Sequence, residues 1–202
     1  NPDLHTEGLD LGEGDSLVPD GPSFKLATQI LDRADNPEKY SGDGTKTVRY
    51  DSRSYTLEKV AAGLPATVTG DNTVTEETSV SRDLLGLLIA AAKAGYSFQI
   101  YGITSGEHSS NSEHYRGFAV DISKNDALYG WLYENREEIC LSSLIHNFRG
   151  EVACRDDEGK IIRTPTGTRP AGSTNMYGGK PGNQNIDCHD QHIHISVSNK
   201  CN

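Results

Sequence analysis

The chain has no apolar run approaching the roughly 20 residues that a bilayer-spanning helix needs, so no membrane span is expected. It also lacks an initiator Met and a secretory leader. A chain beginning at Asn1 therefore reads as a mature or trimmed product. Basic residues are scarce, with 19 Lys and Arg against 29 Asp and Glu, for a net charge of −10. Phosphate binding needs clustered Lys and Arg, so a nucleic-acid partner is not expected. The same acidity works against simple attraction to anionic polymers and leaves recognition to a local cleft, though it also serves plain solubility. No GxSxG turn occurs, which removes the usual setting of a Ser/His/Asp triad. The four cysteines, Cys140, Cys154, Cys188 and Cys201, include no CxxC spacing, so metal-thiolate and redox-motif readings are weak. Two disulfides in an exported protein fit better. Three pairings are possible. The expected ones are Cys188–Cys201, which clips the ends of the last strand, and Cys140–Cys154, which closes a hairpin.

What the chain does have is histidine in two concentrated places. Residues 104–123, TSGEHSSNSEHYRGFAVDIS, hold His108 and His114, with Asp121 seven residues after His114. Near the C-terminus His189, His192 and His194 fall within six residues, so the two stretches hold five of the seven histidines. Residues 118–123 alternate like a strand, with Phe118, Val120 and Ile122 on one face and Ala119 and Asp121 on the other. Residues 192–198 alternate in the same way, setting His192, His194 and Ser196 against Ile193, Ile195 and Val197. An apolar face toward a core and a His/Asp face toward a cleft is the pattern of a half-buried sheet carrying a site. Gly117 lies where a tight loop must bring His114 back to the strand. Imidazole and carboxylate are the ligands that hold Zn²⁺ while leaving one position open.

The run Ser112-x-His114-x-x-Gly117-x-Ala119-x-Asp121, followed far downstream by His192-x-His194, resembles the zinc D-Ala-D-Ala peptidase and murein endopeptidase superfamily, which shares its fold with the Hedgehog signalling domain. The run His189, His192, His194 is most similar to penicillin-insensitive murein endopeptidases. The resemblance covers about residues 81–198. It implies an α+β fold, an antiparallel sheet with helices packed on one face. It also implies zinc-dependent hydrolysis of D-amino-acid-containing peptide bonds in peptidoglycan, in cross-links or stem peptides, by a secreted or periplasmic cell-envelope enzyme, expected to be a monomer.

One zinc ion held by His114, Asp121 and His194 is the implied metal site, leaving a fourth position for an activated water. Copper, nickel or iron would also suit these ligands, so zinc rests on redox-inert hydrolysis being the task. Many relatives carry an acid three residues before the last ligand. Here Gln191 stands there and cannot shuttle protons, so His192, and after it His189, are expected as the acid–base group. Where many relatives have an Arg that polarises the substrate carbonyl, this chain has His108, a candidate donor to the developing oxyanion. Ser112 is a candidate for substrate contact or for orienting the loop. In the Gly-, Pro- and Asn-rich stretch 163–186, Arg169, Tyr177 and Asn175 are the side chains able to hold a peptide. The alternative is a metal-binding but non-catalytic recognition module on the same fold.

Outside the motifs, residues 1–22 read as a flexible tail and 23–202 as one domain. Helices are expected over 23–34 with Ser23 as cap, 54–62, 82–94 capped by Ser81 and stopped by Gly95, and 125–138. In the first of these, Phe24, Ala27, Ile30 and Leu31 are the expected inward face. Strands are expected over 97–104, 118–123, 141–148, 151–154 and 192–198. Residues 69–78 are expected to form a polar turn, and Trp131 a core anchor.

Overall fold

Alternation on three segments, and a fourth whose inward Leu141 and Leu144 are spaced by a bulge, sets the architecture. Phe98 and Ile100, Val120 and Ile122, Leu141 and Leu144, and Ile193 and Ile195 all bury their side chains. In the computed structural model they lie on β4 (Phe98–Gly102), β5 (Ala119–Ser123), β6 (Leu141–Ile145) and β10 (His192–Val197). The structure describes residues 22–43, 48–50, 55–70, 73–106, 108, 112–146, 154–155, 161–163, 176–177 and 192–198. With β1 (Val48–Tyr50) and β9 (Met176–Tyr177) these strands form a six-stranded sheet in the order β1-β4-β5-β10-β6-β9. Every pairing is antiparallel except β1 with β4, which is parallel. The class is α+β, as expected, with the expected antiparallel sheet mixed at one edge.

The helices α1 (Ser23–Asp35), α2 (Thr56–Ala61), α3 (Arg82–Lys93) and α4 (Asp126–Glu134) share one apolar cluster with the sheet. Helix α3 is its centre: every residue from Leu84 to Ala92 is buried. Ser81 caps it by accepting from Leu84 N–H, and Gly95 follows at φ 90°. Asn125 caps α4 in the same way through Leu128 N–H. Trp131 packs half-buried against the cluster, its ring 5.7 Å from that of Tyr96.

Three expectations change. Helix α1 is capped at Pro22, and the Ser23 hydroxyl instead donates to Val80 O. Its buried face is Leu26, Ala27 and Ile30, leaving Phe24 45% exposed. The expected turn at 69–78 is part of a hairpin, β2 (Ala66–Gly70) with β3 (Thr73–Thr78), whose Val68 is buried. Helix α4 ends four residues early, at Glu134, because Asn135 turns the chain and its side chain takes up the Trp131 carbonyl. A short pair, β7 (Cys154–Arg155) with β8 (Ile161–Arg163), stands apart from the main sheet. Cys140 is disulfide-bonded. The side chains of Cys154, Cys188 and Cys201 lie outside the described residues, and with them both expected pairings. Among the described residues, no helix is long and apolar enough to cross a membrane.

Candidate metal centre

Sheet register brings the two histidine stretches together. β10 runs antiparallel beside β5 with His194 opposite Asp121 and His192 opposite Ser123. Directly opposed residues point to the same face, so the pairs Ile193–Ile122 and Ile195–Val120 face the core while Asp121, His192 and His194 share the other side. β6 supports β10 from its far edge, placing Ile145 opposite His194. The buried His146 ring donates from Nδ1 to the His192 carbonyl at 2.8 Å and fixes the start of β10.

His114 arrives from the loop before β5. Its N–H donates to Ser112 Oγ at 3.3 Å, and its carbonyl accepts from Gly117 N–H at 2.9 Å. Gly117 sits at φ 74°, and a Cβ there would lie 2.1 Å from Ser79 O, so only glycine fits. The Gly117 carbonyl in turn accepts from Ser81 N–H at 2.9 Å. The loop is thus clasped to the residues that start α3. The fully buried His114 ring donates from Nδ1 to the Ile103 carbonyl at 2.7 Å. In the neutral ring this leaves Nε2 as a lone-pair donor facing Asp121 and His194, the orientation usual for a metal-ligating histidine.

Three donor atoms then form a nearly equilateral triangle. His114 Nε2 lies 3.1 Å from His194 Nδ1 and 3.3 Å from Asp121 Oδ1, and His194 Nδ1 lies 3.0 Å from Asp121 Oδ1. A tetrahedral ion with ligand bonds of about 2.0–2.1 Å spaces its ligand atoms about 3.3–3.4 Å apart. The triangle fits one face of such a tetrahedron. His192 stands at the rim, its Nε2 3.7 Å from Asp121 Oδ1.

A wider grouping, His108 with His114 and Asp121, also brings one donor atom from each residue within 4.8 Å of the others. The His108 ring, however, stacks on His114 with centroids 3.9 Å apart and planes only 7° from parallel. Imidazole lone pairs lie in the ring plane, so two parallel stacked rings cannot aim at one ion. Convergent in-plane donors are therefore offered by His114, Asp121 and His194, and the His108 ring covers His114. The His108 Nε2–H is engaged by Ser105 O at 3.1 Å, so the expected donation to an oxyanion would have to displace that bond.

The electrostatics follow from this packing. Burial alone would raise the Asp121 carboxyl, but the His114 charge and hydrogen bonds from His114 and His194 hold it well below its usual range. For His114 burial pushes down, and the Asp121 charge and hydrogen bond together with the Ile103 carbonyl outweigh it, so its pKa is raised. Burial, helped by the neighbouring His114, pulls His108 down to about 4.

Ser112 belongs to the ligand loop, its hydroxyl taken up by His114 N–H. Tyr177 lies on edge strand β9, opposite Leu144, two strands from β10. His189, Arg169, Asn175 and Gln191 lie outside the described residues. The Ile103 carbonyl, the clasp at Ser79 and Ser81, and Tyr115 beside His108 are site features that the sequence did not announce. Two of them act through the backbone, which leaves no side-chain signature. No family model, no curated protein and no solved structure matches this chain.

Proposed function

We propose that the chain is a zinc-dependent peptidase of the cell envelope, hydrolysing D-amino-acid-containing peptide bonds of peptidoglycan. The observation that carries the metal reading is the 3.0–3.3 Å triangle of His114 Nε2, His194 Nδ1 and Asp121 Oδ1. The substrate class rests on the resemblance of the Ser112–Asp121 and His192–His194 motifs. When bound there, zinc would supply Lewis acidity and a water that ionises near neutral pH.

The remaining chemistry belongs to the protein's own groups. Asp121 supplies the negative charge that offsets the cation. The Ile103 carbonyl fixes the His114 tautomer by accepting from Nδ1 at 2.7 Å. His192, 25% exposed and on the same strand face as His194, would take a proton at Nε2 and return it to a leaving amine. The Asp121 carboxylate lies 3.7 Å from that nitrogen.

A second reading is favoured by that same distance. A small rotation of His192 would make it a fourth donor, and four protein ligands make a closed, structural site. Gln191, in place of a proton-shuttling acid, points the same way. The chain would then be a metal-dependent recognition module. Release of new amines from purified peptidoglycan, abolished by chelator and restored by Zn²⁺, supports the peptidase. Stoichiometric zinc without amine release supports the module.

A further inference from the structure

The residue next to the buried ligand ties down the turn opposite it. The Tyr115 hydroxyl accepts from His108 N–H at 2.9 Å and faces two carbonyls, Gly106 O at 3.1 Å and His108 O at 3.2 Å, to which its one proton can go. Its ring meets that of His108 edge-on, with centroids 5.8 Å apart. The turn is built to fold back. Gly106 is at φ 105°, and a Cβ there would press on His108 Nε2 at 3.2 Å. Ser105 O accepts from that same nitrogen. The hairpin holds the turn from its other side, where Gly106 N–H donates to Thr69 O at 3.0 Å. The product of these ties is the His108 ring lying flat on His114.

We propose that Tyr115 is a positioning residue whose hydroxyl ties Gly106 and His108 in place so that the His108 ring covers one face of the ligand His114. The consequence for metal binding rests on the metal reading given above, whereas the clasp itself exists without any ion. A ring that cannot tilt keeps Nε2 of His114 aimed at the triangle and keeps water off its covered face. Outer groups that orient a ligand in this way are worth about 10–100-fold in metal affinity.

The test uses the whole chain in two arms. In chelator-stripped protein, site-resolved modification of histidines by diethyl pyrocarbonate is followed by mass spectrometry. Tyr115→Phe should raise the His108 rate by about tenfold, the factor of one lost hydrogen bond. With Co²⁺ as the probe, Tyr115→Phe should lower affinity about tenfold and alter the visible ligand-field spectrum. In a His108→Ala background the same substitution should do nothing further, because it acts through that ring. Gly106→Ala, which disturbs the turn through its backbone and the His108 ring while keeping the Tyr115 hydroxyl, should reproduce the spectrum of Tyr115→Phe. The proposal is overturned if Tyr115→Phe leaves His108 modification unchanged in a folded protein, or if it weakens Co²⁺ binding as much without His108 as with it. A parent that takes up no Co²⁺, while Tyr115→Phe still frees His108, sustains the clasp and removes the metal reading instead.

Discussion

The two halves of the candidate site are held in different ways. His194 and Asp121 face each other because β10 and β5 are in register, and that register is fixed by Ile193 on Ile122 and Ile195 on Val120 at the core side. A one-residue slip of β10 would carry His192 and His194 to the core face and Ile193 and Ile195 away from it. His114 owes its place to a loop, through single contacts: Gly117 against Ser79 O, Gly117 O with Ser81 N–H, and Nδ1 with Ile103 O. The strand half spreads its support over many apolar contacts, and the loop half concentrates it in a few atoms. The strand half should therefore tolerate single substitutions of its ligands with the fold intact, while the loop half should lose geometry and stability together.

The sharpest way to expose this contrast is to remove ligands from the strand half. His194→Ala should abolish metal uptake and turnover together while the chain stays folded, read by metal stoichiometry, peptidoglycan hydrolysis and the thermal midpoint. His192→Ala, on the same strand but at the rim, should keep most of the metal and lose about 10²–10⁴-fold in turnover, the usual worth of a general acid–base group. Loss of metal in His192→Ala would mark it as the fourth ligand of a closed site.

The loop half should break differently. Gly117→Ala combines a left-handed backbone with a Cβ 2.1 Å from a main-chain oxygen, so the loop must move. A cost of about 3 kcal/mol in unfolding free energy is expected, with metal affinity falling in the same variant. An unchanged denaturation midpoint with full metal binding would show that the clasp at Ser79 does not position His114.

Protonation gives a smaller and opposite pair of effects. His114 is raised in the metal-free protein, so its contribution to stability is present below its unfolded pKa of about 6.5 and lost as pH rises through the higher folded value. Asp121 is depressed, so its contribution is present above about 3.9 and lost as pH falls through the lower folded value. Metal uptake requires the neutral ring, so affinity should climb over the range, above about pH 6.5, in which the metal-free protein loses the His114 contribution. Midpoints and Zn²⁺ affinities measured across pH 5–9 check both slopes. Parallel slopes would contradict the assignment of His114 as a ligand. The smallest effect is at the helix that clasps the loop: Ser81→Ala should cost about 1 kcal/mol through the lost α3 cap, with little change in metal affinity, because the bond to Gly117 O uses Ser81's backbone N–H.

The same contrast explains what the sequence disclosed. Strand alternation in 118–123 and 192–198 announced both faces of β5 and β10, and the cap at Ser81 with the stop at Gly95 announced α3. Gly117 was legible as a loop requirement but not the atom that enforces it, because Ser79 O is a backbone group 38 residues away. The β2–β3 hairpin is not evident from polarity, although Thr67-Val68-Thr69 and Thr73-Val74-Thr75 are β-branched runs flanking Gly70-Asp71-Asn72. Helical spacing puts Phe24 on one side with Ala27, Ile30 and Leu31, yet the helix turns Leu26 to the core and leaves Phe24 exposed. The role of His108 depends on a ring stack and a Tyr115 hydroxyl, neither of which spacing along the chain can express.

The central claim is that His114, Asp121 and His194 hold one metal ion, and calorimetric titration of Zn²⁺ into the chelator-stripped chain tests it most directly. One ion per chain should bind, with a site lost in Asp121→Ala and in His194→Ala but retained in His108→Ala with weaker affinity. No saturable binding, or binding unchanged in Asp121→Ala and His194→Ala, would contradict it.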